Sequence, residues 1–478
     1  MSLSTLLSVR AHERGRAQRS ALCCHRLLRP DPFLVCLFGL GAEPFSAAAI
    51  GWGRDERRLE VAVAGDPRER RLLFPALEEL AEDFLPYFEG PFESVEEVTG
   101  PQGGNRHLEV NELPQILVPN RETLLLLGLI GRRVRYLPTD GPTPASEELI
   151  RLGAHLDFLR RHAALPGQQL VVIASDLVAD HWQTSLNEWE ALSLPALDAF
   201  VEPPAGVHGH DASAEADREP LGPRPDAEQD KAAAPLIKAL NEGRAKSVER
   251  DVVEPLLAPL ERHYRPKLER AAEISWRSLR REAGYPSARH AARREQEDRE
   301  AYAWHMNMVS EGLRRRSRLT QAQAIRRVGD LERAGQRVVA QEAVDDPLRM
   351  VEVLLSEQAV LGTVTSVDPT HKVGRKSRPL VEVSLGRPTM LEQGETVHWD
   401  RLPDKDWEVA AVHPDAIELV LLNPRAKPLP EVDSIACFTT LSVEDEHFLG
   451  TPSRTPPWTH VGSSEPEQPS SIEEAEAA

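Results

Sequence analysis

The chain reads as three architectures in series: an α/β region, an arginine-rich all-α region and a small all-β barrel, between segments expected to be disordered. Three patterns carry that reading. Strand-like apolar runs alternate with helical periodicity from Phe33 to about Phe200. Helical periodicity then fills Leu236 to about Leu355. From Val360 to Thr440, short β-rich runs are separated by Gly, Pro, Asp and Asn. The 478 residues, 41% hydrophobic with eight Trp, suffice for more than one core.

The expected boundaries follow from shifts in composition. Residues 1–32 hold Arg10, Arg14, Arg16, Arg19, Arg26 and Arg29 and read as a basic disordered leader. The apolar run Phe33–Ala42 after it mimics a secretory signal, but Gly39, Gly41 and Glu43-Pro44 break the pattern, so it is read as a first buried strand. Within 33–200, Ala47–Trp52 and Leu59–Ala64 are strands about a charged loop. Leu72, Leu73, Leu77, Leu80, Ala81 and Phe84 form a helix expected to end at Pro86. Gln115–Val118 is a strand, Asn120 caps a helix over Arg121–Arg135, and Ser146 caps the next, with core positions Leu149, Leu152, Leu156 and Leu159. Gln169–Ser175 is the strongest buried-strand pattern, and Asp176 is expected to cap the helix that follows.

Residues 201–235 turn rich in Pro, Ala, Gly and Asp and read as a linker. Residues 236–355 are helical, with breaks expected at Pro266 and at Gly284-Tyr285-Pro286. In the last part Leu319, Ala322, Ile325, Val328, Leu331 and Val338 form one apolar stripe, with most arginines off it. Residues 356–441 have the spacing of a small antiparallel barrel, similar in pattern to five- or six-stranded barrels of the OB or SH3-like kind. Residues 442–478, rich in Pro, Ser and Glu, read as an acidic disordered tail.

Charge is the most informative compositional feature. The chain has net charge −19, yet Arg262–Arg337 holds 19 Lys and Arg against 10 Asp and Glu. Glu269, Glu273, Glu295, Glu297 and Asp298 can pair off much of the first half at helical spacing. The later part, with Arg314, Arg315, Arg316, Arg318, Arg326 and Arg327, is poor in acids and suits a polyanion. A second cationic feature is the first barrel loop, with Lys372, Arg375, Lys376 and Arg378, at a position where OB-like barrels grip oligonucleotides.

The sequence has no GxxxxGK[ST] loop, no GxGxxG after a strand, and no HExxH or GxSxG, so none of those chemistries is signalled. Cys23, Cys24, Cys36 and Cys437 make no disulfide framework and contain no CxxC pair, which fits a reducing cytoplasm. No run approaches the ~20 apolar residues of a membrane-spanning helix. Two weaker constellations remain. Asp176, Asp180 and His181 follow the carboxyl end of a strand, where open α/β sheets bind ligands, and could do acid/base work or hold a metal. His208, His210 and Asp211 put three metal-ligand types within four residues, in the expected linker.

The expectation is a cytoplasmic, non-enzymatic nucleic-acid-associated accessory protein, without a cofactor or a membrane partner, that holds a DNA or RNA backbone by its arginine helix and barrel loop. Two alternatives stand beside it. One is a scaffold docked on an acidic partner such as an ATPase or helicase; the other is an enzyme using Asp176, Asp180 and His181.

Overall fold

The computed structural model describes all residues except 1, 42, 65, 67–69, 94–95, 100–105, 111, 141–143, 245–249, 313–320, 424–427 and 445–478. Among the described residues it contains twelve α-helices, several sheets and a closed six-stranded barrel. No described helix is long and apolar enough to cross a membrane.

The run Phe33–Leu40 (β1) is the central strand of a five-stranded mixed sheet, and every one of its residues is buried. Apolar side chains on both of its faces demand cover on both, and the helices supply it. Strands Glu43–Asp55 (β2) and Arg58–Val63 (β3) continue the sheet antiparallel on one side. On the other side, Ile116–Val118 (β4) and Val171–Ile173 (β5) run parallel to β1, with Phe33 opposite Ile116 and Ile116 opposite Val171.

Helix α1 (Leu3–Arg14) lies within the basic segment read from sequence as disordered, and its Ala11 is buried. On one sheet face Phe33, Val35 and Ile116 pack with α2 (Arg70–Glu93), α3 (Arg121–Val134) and α4 (Glu147–His162). On the other, Leu34, Cys36 and Val172 meet α5 (Ala174–His181), α6 (Leu194–Val201) and, beyond α7 (Gly209–Ala216) and α8 (Ala227–Arg244), helix α9 (Arg250–Ala283). Burying each such large apolar side chain stabilises the fold by about 1.5–3 kcal/mol. Asn120 and Ser146 cap α3 and α4 as their chemistry predicts, accepting from the N–H groups of Thr123 and Leu149.

Three local readings are corrected. Helix α2 does not end at Pro86 but runs through it to Glu93, because Phe84, Leu85 and Phe88 continue the buried stripe across it. Helix α9 likewise passes Pro266 between buried Tyr264 and Leu268. Proline removes one hydrogen bond and bends a helix, and tertiary packing offsets that cost. The strand expected to reach Ser175 stops at Ile173, since the Ser175 N–H turns to Pro119 O at 3.1 Å and the chain enters α5. The segment 201–235 is also shaped: α7 and the start of α8 lie in it, and the Gly39 N–H donates to Pro223 O at 2.7 Å.

After the break at Gly284–Pro286 come α10 (Arg289–Ser310), α11 (Gln321–Asp345) and α12 (Pro347–Leu355). The apolar stripe of α11 is only partly covered. Ile325 and Val328 are 55% and 54% exposed. The barrel then closes in the order β6 (Ala359–Asp368), β7 (Leu380–Leu385), β10 (Ala416–Leu421), β9 (Leu402–Val412), β8 (Thr396–Trp399), β11 (Ile435–Thr439) and back to β6. Inward alternation is plain in β7, where Val381, Val383 and Leu385 are buried around Trp407 and Phe438. Ala343 and Met350 of α11 and α12 pack on Ala359 and Cys437, seating the barrel against the helices.

Candidate anion-binding groove

Among the described residues, most of the arginine block is consumed by ion pairs. Arg265 pairs with Glu261 at 2.6 Å, Arg270 with Glu219 at 2.7 Å, Arg277 with Asp198 at 2.8 Å and Arg280 with Glu56 at 2.5 Å. On α11, Arg337 reaches Glu297 at 2.7 Å and Arg333 reaches Asp330 at 2.5 Å. Arg314, Arg315, Arg316 and Arg318 lie outside the described residues. Arg326 is exposed on α11, and Arg327 borders a cavity. In the barrel, Lys372–Val373 and Lys376–Ser377 pair as a small hairpin. Lys372, Arg375 and Lys376 are exposed on it, whereas Arg378 lies 3.9 Å from Glu408.

Beside the carboxyl ends of β4 and β5 lies a cavity of about 560 Å³. Arg26, Arg121, Arg160 and Arg294 line it, with Leu124, Leu125 and Val338 as apolar wall. A second cavity of about 290 Å³ adjoins it, sharing Leu165, Pro166, Gly167, Gln168 and Arg294 and adding Arg327 and Arg337. The two make one groove across the loop between α4 and β5. Gly167 has φ +75°, and a Cβ there would meet Val338 Cγ2 at 2.5 Å and Arg294 Cδ at 2.7 Å. Only glycine lets the loop pass so close to both side chains.

Arg294 is the unusual group. It is 4% exposed, yet among the described residues no carboxylate oxygen stands within 4 Å of its guanidinium nitrogens, which bond neutral oxygens instead. Its Nη2 donates to His25 O at 2.6 Å, its Nη1 to Gln341 Oε1 at 3.2 Å, and its Nε has no partner. Burial holds the guanidinium below the ordinary arginine value, although Glu342, Asp345 and Asp298 oppose the shift from a distance. A buried charge without a counterion is costly. The groove is where an anion could relieve that cost.

Neighbouring arginines are only partly satisfied. Arg26 donates to Gln168 O at 2.6 Å; Arg160 Nε is buried and unpartnered, and its Nη2 lies 3.9 Å from Asp157. Arg121 is engaged, with Nε 2.9 and 2.8 Å from the two Asp176 oxygens.

Comparison with protein-family models, curated proteins and solved structures finds no match.

The three acid/base candidates do not converge. Asp176 and Asp180 line the larger cavity, and burial raises the Asp176 carboxyl above its ordinary value against the pull of Arg121. Asp176 does not cap α5: Ile173 holds that position, and Asp176 sits in the first turn. His181 is fully buried. Its Nδ1–H donates to Leu177 O at 2.8 Å and its Nε2 accepts from the His25 N–H at 3.1 Å. Both nitrogens are thus committed to the fold, and burial lowers the imidazole below its ordinary value.

The histidines of the expected linker are also engaged. His208 precedes α7 and bonds His12 O at 3.1 Å; His210 Nε2 lies 3.0 Å from Ser185 Oγ and 3.3 Å from His12 Nδ1. Asp211 is exposed in the first turn of α7. Among the described residues, the metal-ligating types that gather are instead Cys23, His25 and Asp346. Sequence reasoning missed these three and Arg294. Cys23-x-His25 was the available signal, since alternate residues of an extended chain face one way.

Proposed function

We propose that the protein is a nucleic-acid-associated accessory protein that holds a single strand in the groove centred on Arg294. One observation carries this: a guanidinium buried to 4% exposure, with no ion-pair partner among the described residues, at the junction of two open cavities. A backbone phosphate would give it a charge-assisted partner, and Arg26, Arg160 and Arg327 offer cations to neighbouring phosphates, although Asp176, Asp180, Glu342, Glu297, Asp298 and Asp330 line the same two cavities. Leu124, Leu125 and Val338 offer a base an apolar wall. The barrel, which we read as OB- or SH3-like, adds Lys372, Arg375 and Lys376 as backbone contacts. We read residues 33–200 as its α/β domain and place the protein in the cytoplasm, in keeping with four unpaired, buried cysteines.

A second reading is favoured by the exposed Ile325 and Val328 of α11, an apolar strip that suits docking on a protein such as an ATPase or helicase.

The test is anisotropy of a labelled single-stranded oligonucleotide at about 50 and about 150 mM salt. Arg294→Met should weaken binding at least about tenfold, a loss of about 1.4 kcal/mol. Arg280→Met, whose arginine pairs with Glu56 away from the groove, should not. Equal affinity for wild type and Arg294→Met overturns the groove. A partner that copurifies after nuclease treatment supports the docking reading.

A further inference from the structure

We propose that Cys23, His25 and Asp346 form a binding site for a divalent transition metal, best suited to zinc, that ties the amino-terminal segment to the junction of α11 and α12. The donors are Cys23 Sγ, His25 Nε2 and Asp346 Oδ2. Sγ lies 3.9 Å from Nε2 and 3.6 Å from Oδ2, and Nε2 lies 3.6 Å from Oδ2. In a tetrahedral zinc site, with bonds of about 2.3 Å to sulfur and about 2.0–2.1 Å to nitrogen or oxygen, ligand atoms stand about 3.3–3.6 Å apart. The triangle closes on such an ion with shifts of roughly a few tenths of an ångström. Three protein ligands leave a fourth position for water.

The charges suit the burial. All three side chains are buried, at 9%, 4% and 0% exposure. A thiolate, a carboxylate and a neutral imidazole together cancel a divalent charge, so the loaded site carries no net charge into the interior. The thiolate selects against magnesium and calcium, which prefer oxygen donors.

The ligands are held in place before any metal arrives. Cys24 N–H donates to Pro286 O at 2.7 Å and Ala288 N–H to Cys24 O at 2.8 Å, which extends the chain here. Cys23 and His25 therefore share a face. The His25 main chain is clamped on both sides, by His181 through its N–H and by Arg294 through its carbonyl. Asp346 Oδ1 accepts from the Leu348 N–H at 2.9 Å, capping α12 and fixing the carboxylate. Its Oδ2 also receives the N–H groups of Leu22 at 2.5 Å and Cys23 at 3.2 Å, the kind of supporting bonds that orient metal ligands. The thiol proton of Cys23, now directed at that oxygen, is released to solvent as the sulfur–metal bond forms.

The full-length chain, stripped with chelator, is titrated with cobalt(II), whose thiolate charge-transfer band reports sulfur ligation, and then with zinc in competition. The expected result is one cobalt per chain with that band, displaced by zinc. The band should be lost in Cys23→Ser and kept in Cys437→Ser, with circular dichroism showing that both fold. His25→Ala should weaken binding at least about tenfold. Fewer than about 0.1 cobalt per chain, or a band that survives in Cys23→Ser, overturns the site.

Discussion

Arg294 donates a hydrogen bond of 2.6 Å to the main-chain oxygen of His25. That bond joins the groove to the Cys23–His25–Asp346 cluster, because the residue whose carbonyl steadies the buried guanidinium is the one whose ring faces Asp346. A change at either feature should be felt at the other.

Arg294 and Arg135 are both buried arginines with opposite accounting. Arg135 pairs with buried Asp157 at 2.5 Å, and removing it leaves that carboxylate with Arg161 at 3.2 Å. Arg135→Met should destabilise the fold by about 2–4 kcal/mol in urea unfolding. Arg294→Met leaves no orphaned carboxylate but frees the buried His25 and Gln341 oxygens; relief of the desolvated charge offsets part of that, and the net loss should be about 1–2 kcal/mol, smaller than in Arg135→Met. A larger loss in Arg294→Met than in Arg135→Met would show that Arg294 is a structural pair in disguise.

Gly167→Ala places a methyl group against Val338 and Arg294 and asks alanine to adopt φ +75°. It should cost about 1–3 kcal/mol and weaken oligonucleotide binding by displacing Arg294. Unchanged thermal stability would mean that the loop is free to move away.

Salt dependence tests the barrel hairpin. Replacing Lys372, Arg375 and Lys376 with alanine should lower the slope of log affinity against log salt by about 2 for a single strand. An unchanged slope removes the hairpin from the interface.

Acid should weaken the fold through buried histidines. Burial holds His155 below its ordinary value of 6.5, against Glu89, and lowers His398 against Asp406. His155 meets Glu89 from α2 and His305 from α10, with Arg151 on its own helix. A base whose folded value is depressed binds more protons when unfolded, so its contribution is full above 6.5 and lost as pH falls below it. The melting temperature should drop from about pH 7 to about pH 5, and less so in His155→Gln. A rise over that window contradicts the assignment.

Legibility followed the range of the physics. The caps at Asn120 and Ser146 and the barrel strands were readable because capping and period-two alternation are local. The ends of α2 and α9 were not, because packing of Phe88 and Leu268 overrode a local proline rule. Arg294 sits among glutamates at helical spacing, which reads as a solvated face. Its burial depends on Gly167 and Val338, over a hundred residues before and over forty after it in the chain. The link of Cys23 to Asp346 spans 323 residues and has no signature in sequence.

Photocrosslinking tests the central claim most directly. A single-stranded oligonucleotide carrying thio-substituted pyrimidines is bound to the full chain, irradiated and digested, and the linked peptides are identified. Crosslinks should fall in the loop Leu165–Gln169 and on α11 around Val338, and should fade in Arg294→Met. Crosslinks confined to the barrel, or undiminished in that variant, would contradict a groove centred on Arg294.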